Sequence, residues 1–233
     1  MSTLLLRLAA PLQSWGAESK FDIRQTEREP SKSGVVGLLA AALGVPRDDE
    51  QALQALSALR FGVRVEQEGE LLHDFHMARK DHKTSYLTHR YYLADAAFLV
   101  GLESGDEDYL HMLGDALCHP VFPLYLGRRS CPPTLPIVLG VRKAGLQEAL
   151  ASEPWQASEW MKGRQGGKTP RLRLMMDAAP GEPNAGRKKD VPLSFDPRNR
   201  RYGYRAACAR GFVAPQADHL PPETEHDAML ELR

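Results

Sequence analysis

The stretch Ser33-Gly34-Val35-Val36-Gly37-Leu38-Leu39-Ala40-Ala41-Ala42-Leu43 is small or apolar on every face and is closed by Gly44 and Pro46. A helix with no polar face has nowhere to go but the interior, so this one is expected to pack closely on a sheet. The sheet is legible around it. Leu4–Ala9 reads as a first strand, and Phe61, Val63 and Val65 alternate with polar or small neighbours as a half-buried strand does. Tyr91–Leu102 reads as one long strand and Leu124–Leu126 as a short fourth. Asp48-Asp49-Glu50 opens a second, shorter helix carrying Leu53, Leu56 and Leu59. Asp106 caps another, with Tyr109, Leu110, Leu113 and Leu117 on its inner side and Pro120 beyond its end.

Strand, helix (doubled), strand, strand, helix, strand is the βαββαβ order of an α+β, ferredoxin-like fold, which RRM-type RNA binders share. The polar segment from Gly69 to Arg90 interrupts that order between the second and third strands, where a protruding β-hairpin, a thumb, is expected. This assigns residues 1–133 to the ferredoxin-like unit with its thumb at about 69–90. Residues 134–214 form a β-rich appendage: a strand at Ile137–Val141, a short helix over Gln147–Met161 bearing Trp155 and Trp160, then Leu172, Leu174 and Met176 alternating with arginines. A closing β-pattern covers Tyr202–Val213, and an acidic tail follows at 215–233.

Composition bounds the function. Hydrophobic residues are 42% of the 233, enough for a real core. No apolar run reaches the ~20 residues a membrane helix needs, and Arg7 interrupts the apolar start, which suits a strand better than a signal peptide. Cys118, Cys131 and Cys208 are odd in number and widely spaced, which fits a reducing cytoplasm and neither a disulfide framework nor a zinc site. Net charge is zero, but it is segregated. Lys162–Arg173 holds five basic residues and no acidic one, Arg187–Arg205 seven basic and two acidic, and Glu103–Asp115 five acidic and no basic. A local basic groove is compatible with a neutral total.

Three segments carry candidate chemistry. Lys32-Ser33-Gly34 opens the buried helix, where free N–H groups and a partial positive charge favour phosphate; ordinary capping by Ser31 or Ser33 explains the same letters. Gly127-Arg128-Arg129-Ser130 places adjacent arginines on a glycine-bent loop that would clamp phosphates or simply be solvated. Met77–Tyr92 interleaves cations with aromatics, a pattern suited to unpaired RNA or to an exposed hairpin, with Tyr92 expected in the core. His73 and His76 have no third ligand at metal spacing and read as a surface pair. The acidic clusters at the two helix starts need only the helix dipole to explain them. Gly163–Thr169 imitates a phosphate loop, but its first glycine is one residue too close and Pro170 stands where a helix should begin. No catalytic centre, metal site or cofactor motif emerges.

Three separated motifs, in order, closely resemble one family: Leu12-Gln13-Ser14-Trp15-Gly16; Lys32 to Gly44 with Arg47-Asp48-Asp49; and Tyr125-Leu126-Gly127-Arg128-Arg129-Ser130-Cys131-Pro132. The chain resembles CRISPR-associated protein five of the type I-E Cascade complex, in the RAMP superfamily, most clearly over residues 1–140. The resemblance implies a non-catalytic subunit that binds the 5′ handle of the CRISPR RNA, touches the backbone subunit through its thumb and also meets the large subunit. It implies Lys32, Ser33, Gly34, Arg128 and Arg129 as leading handle contacts, with Arg24, Arg28 and Arg90 behind them; Trp15 would stack on a base or pack beneath its loop. A related type I-C branch cleaves precursor RNA without metal, so the alternative is a metal-independent endoribonuclease using His82 or Tyr86 as base.

Overall fold

The computed structural model describes residues 1–16, 22–79, 81, 85–164, 169–179 and 181–215. The elements in chain order are β1 (Ser2–Ala9), β2 (Leu12–Gln13), β3 (Ile23–Arg24), α1 (Lys32–Leu43), α2 (Glu50–Ser57), β4 (Arg60–Gln67), β5 (Glu70–Arg79), β6 (Ser85–Ala94), β7 (Ala97–Ser104) and α3 (Glu107–Cys118). They continue with β8 (Val138–Arg142), α4 (Leu146–Ser152), α5 (Glu159–Arg164), β9 (Leu172–Asp177), β10 (Gly186–Ser194) and β11 (Arg201–Val213). The chain is α+β, with mostly antiparallel sheets.

Seven strands form the main sheet in the order β10-β11-β9-β4-β7-β1-β8, every neighbour antiparallel. Alternation sorts β1 cleanly. Leu4, Leu6 and Leu8 join α1, α2 and α3 in the larger core, while Leu5 joins Leu99, Leu146, Leu150, Leu174 and Met176 in a second core under α4. The expectation of a half-buried β4 therefore fails: Gly62, Arg64 and Glu66 are buried too, because α4 covers that face. Arg64 tolerates this only by being fully paired. Its Nε and Nη2 reach the Glu66 carboxylate at 2.6 and 3.1 Å, and its Nη1 and Nη2 donate to the carbonyls of Leu150, Glu153 and Pro154 at 2.5–2.8 Å. Burial pushes the Glu66 carboxyl up, with the Arg64 guanidinium opposing it.

Other expectations need correction. Tyr91–Leu102 is not one strand: Asp95, at φ +54°, turns the chain, so Tyr91–Ala94 ends β6 and β7 begins at Ala97. Leu124–Leu126 forms no strand; those residues wrap into a loop, and the strand that closes the sheet beside β1 is β8. The helix expected over 147–161 is two, α4 and α5, with Pro154 between them. β10 escapes the sequence pattern, since its Arg187-Lys188-Lys189 and Pro192 hide the strand period. The tail beyond Pro215 lies outside the described residues.

The second sheet is built on β6, with β5 antiparallel along one edge and β2 and β3 along the other, β3 parallel. Its β5–β6 hairpin runs from Glu70 to Ala94, so the thumb is longer than the sequence placed it. Leu71, Phe75, Met77 and Leu87 share one face by strand alternation and are exposed, Phe75 and Met77 each at 62%.

Candidate nucleic-acid interface

The three motifs meet. In the first, Gln13 is buried and donates from Nε2 to the carbonyls of Leu8 (3.4 Å) and Ala96 (2.6 Å). Its Oε1 accepts the Trp15 indole N–H at 3.1 Å. Trp15 is only 1% exposed, and its backbone N–H and carbonyl are held by Thr26 and Glu27 at 2.8 and 2.9 Å. A ring buried that far has no face for a base, so of the two roles open to Trp15 the packing one is realised.

In the second, Ser31 caps α1 by accepting the Gly34 N–H at 3.2 Å. A Cβ on Gly34 would stand 2.9 Å from the Trp15 ring. Gly34 therefore makes room for the indole of the first motif, not for the backbone of a ligand. In the third, Gly127 sits at φ +87°, where a Cβ would fall 1.5 Å from the Ser14 carbonyl oxygen. Ser14 donates its N–H to the Leu126 carbonyl at 3.1 Å, while Leu126 N–H bonds the Cys131 carbonyl and Cys131 N–H the Arg128 carbonyl at 2.8 and 2.9 Å. The arginine loop is thus clamped onto the first motif by its own backbone.

Beside this junction lies a cleft of about 360 Å³, lined by Ser14, Gly16, Ser33, Gly34, Gly127 and Arg128 from the motifs and by Arg24, Gln25 and Ser31. Its last wall is Phe195 and Arg200, from the β10–β11 connection, and Tyr202, from the start of β11. Among the described residues, three arginines and no carboxylate line it. The Arg128 guanidinium lies 4.5 Å over the Tyr92 ring and donates from Nη2 to the Arg24 carbonyl at 2.8 Å; its Nη1 is buried with no partner among the described residues. Burial alone would raise the Tyr92 phenol, but hydrogen bonds from Arg128 and Ser130 outweigh it and hold the phenol below its ordinary value. Burial pushes the Cys131 thiol up, which leaves it protonated and inert.

The residues expected to touch RNA divide. Ser33, Gly34, Arg128 and Arg24 line the cleft. Arg129 is exposed next to it, with no ion pair among the described residues. Lys32 is a correction. It is 6% exposed and turns inward: Nζ meets Asp177 at 3.0 Å and its backbone N–H donates to Asp190 at 2.9 Å. Arg205 completes the group, bonding both carboxylates at 2.7–2.9 Å, and its guanidinium outweighs burial to hold the Asp190 carboxyl low. The anion at this helix start is already supplied by the protein.

Arg28 is exposed but outside the lining, and Arg90, in register with Arg24, spends its Nε on Thr88 at 3.2 Å. His73 meets His89, Nε2 to Nδ1 at 2.8 Å, and not His76, which the alternation puts on the other face. Among the described residues no three His, Cys, Asp or Glu gather as metal ligands. His82 lies outside the described residues, and Tyr86 is exposed at the start of β6. Sequence reasoning missed Phe195, Arg200 and Tyr202, although the basic run Arg187–Arg205 was the signal that pointed there.

The family model of CRISPR-associated protein (Cas5) matches residues 3–208. The chain belongs to the Cas5 family. This Cas5 chain is 40% identical over 151 residues to the CRISPR system Cascade subunit CasD of Escherichia coli K12, a match spanning 55% of the chain and 66%, just under two thirds, of that relative. A chain of a solved CRISPR RNA-guided surveillance complex superimposes with a TM-score of 0.75 at 34% identity, covering 94% of this chain and 95% of that one. A crystal structure of a Cas protein gives 0.69 at 42% identity, covering 91% and 95%. The likeness to the type I-E Cascade subunit drawn from the three motifs holds.

Proposed function

We propose that this Cas5 chain is a non-catalytic Cascade subunit, acting in the cytoplasm in antiviral defence, that binds and caps the 5′ handle of the CRISPR RNA. The observation that carries the reading is the cleft: three distant motifs are locked together around one small polar space that holds three arginines and, among the described residues, no acid. Phosphate contacts from Arg24, Arg128 and Arg129 would supply affinity, and the Ser14, Ser31 and Ser33 groups would read base edges. Lys32 has no part in it, because its charge is spent on Asp177.

The framework for the cleft is a ferredoxin-like unit made of β1, α1 with α2, β4, β7, α3 and β8. The adjacent strands β4-β7-β1-β8 support this, with α1 and α2 joining β1 to β4 and α3 joining β7 to β8. The exposed apolar face of the thumb would seat the backbone subunit, and the large subunit would close over the bound handle. Both partners rest on the relatives' membership in surveillance complexes.

Replacing Arg128 and Arg129 with alanine in the assembled complex tests the reading. Handle-dependent RNA affinity is expected to fall, and its dependence on log salt to become shallower by about 0.7 for every single-strand phosphate no longer neutralised. An unchanged slope removes these arginines from the interface. Incubating the purified protein with repeat RNA in EDTA tests the absence of catalysis: a clean cut overturns it.

A further inference from the structure

The cleft's third wall comes from none of the motifs that mark the family. Phe195 is seated on α1, its ring 3.8 Å from where a Cβ on Gly37 would stand, and its N–H donates to the Arg47 carbonyl at 3.2 Å. The Tyr202 ring meets it edge-on, centroids 6.5 Å apart at 64°. Between them the chain makes a tight turn, in which the Asp196 carboxylate accepts the Arg198 N–H at 2.8 Å and its carbonyl accepts the Asn199 N–H at 3.1 Å. That turn presents Arg200. The wall is therefore anchored to the helix whose start lines the same cleft.

The cations of the Arg187–Arg205 run sort by what they touch. Lys188 meets Glu29, Arg201 meets Glu50 and Arg205 meets Asp177 and Asp190, while Arg187 lies over the Tyr204 ring. These tie the two strands to each other, to β9 and to the helical side of the fold. Arg200 is exposed, has no carboxylate partner among the described residues and lines the cleft with Arg24 and Arg128. A free phosphate would need only the arginines; an aromatic wall adds nothing for it. A base has a π-face that stacks on such a ring whatever its sequence. At about 360 Å³ the space is at the small end of ligand pockets, room for one nucleotide and not for a strand.

We infer that Arg200 and Tyr202 form a subsite for one unpaired ribonucleotide turned out of the strand, with Tyr202 against its base and Arg200 on its phosphate. The inference rests on the reading of the cleft as the handle site. It assigns the C-terminal strand pair a part in RNA recognition as well as in extending the sheet.

The test uses the complete complex and a set of CRISPR RNAs, each with one abasic nucleotide in the handle. With the unaltered chain, one abasic position is expected to weaken binding on the order of tenfold. With Tyr202→Leu, binding to intact RNA should drop by a similar factor, and that abasic position should then cost nothing further. Tyr202→Phe keeps the ring and should behave as the unaltered chain, which separates stacking from folding. Arg200→Ala should make the salt slope shallower by about 0.7 while preserving the abasic penalty.

If the abasic penalties are the same in Tyr202→Leu as in the unaltered chain while handle binding persists, the subsite is overturned and the handle reading stands. If the unaltered complex shows no preference for handle-bearing RNA over RNA lacking it, the handle reading falls and the subsite with it. If Tyr202→Leu and Arg200→Ala weaken binding of a partner subunit equally with and without RNA, the wall is a protein contact and the subsite is again overturned.

Discussion

Lys32-Ser33-Gly34 and Gly127-Arg128-Arg129 are both glycine-flanked basic segments at the edge of the same cleft, and the fold uses them differently. At the start of α1 the cation points into the protein, where Asp177 and Asp190 neutralise both the ammonium and the helix terminus. The glycine there accommodates a tryptophan. On the 127–131 loop, a backbone bond from Ser14 to Leu126 helps hold the turn, and the cations face an aromatic ring, a carbonyl and open space, with no carboxylate partner among the described residues. One segment builds the wall and the other presents charge. What separates them is whether the protein itself supplies a counter-anion, a property of the neighbours and not of the segment.

Changes at these segments should give distinct signatures. The largest effect is expected from Gly127→Ala, since a Cβ 1.5 Å from the Ser14 oxygen forces the loop open; a destabilisation on the order of 4 kcal/mol should appear as a lowered urea midpoint. Lys32→Ala should cost about 2 kcal/mol in the same assay, less than breaking an isolated buried pair because Arg205 still serves both carboxylates. Its salt slope for RNA should not change, in contrast to the paired arginine variant. A shifted slope would put Lys32 back in the interface.

The network at α1 also makes an acid prediction. The folded Asp190 carboxyl lies below its ordinary value of 3.8, so its ionised form stabilises the fold above that pH, and the contribution disappears as pH falls through the folded value. Asp190→Asn should flatten the acid limb of stability against pH, read by urea titration from pH 6 downward; an unaltered limb would detach the network from acid unfolding. The smallest effect on the isolated chain is expected from Phe75→Ser with Met77→Ser. Both side chains are already in water, so stability should stay within about 0.5 kcal/mol while assembly with the backbone subunit suffers.

Much of the frame was legible because it is written in local period. The all-apolar Ser33–Leu43, the capped α3 and the alternating β9 sit where the pattern puts them, and the three motifs marked the family before any geometry was known. The pattern failed where a neighbour distant in sequence changed a residue's surroundings. β4 is buried on both faces because α4, more than 80 residues on, covers the second. Leu124–Leu126 has the letters of a strand, but its backbone is claimed by Ser14 and Cys131.

The candidate site divides the same way. Residue type and spacing nominated Ser33, Gly34 and Arg128, and the family resemblance added Arg24; all four line the cleft. They could not show that Lys32 meets Asp177, 145 residues away, or that Trp15 fills the space Gly34 leaves. Nor could they bring Arg200 and Tyr202 alongside α1, since that placement comes from Phe195 resting on the helix and from β10–β11 joining the sheet through β9. Helix, strand and turn follow from interactions a few residues long, which any window of sequence contains. Which charges are neutralised and which surfaces face each other follow from contacts between segments far apart, and those exist only once the chain has folded.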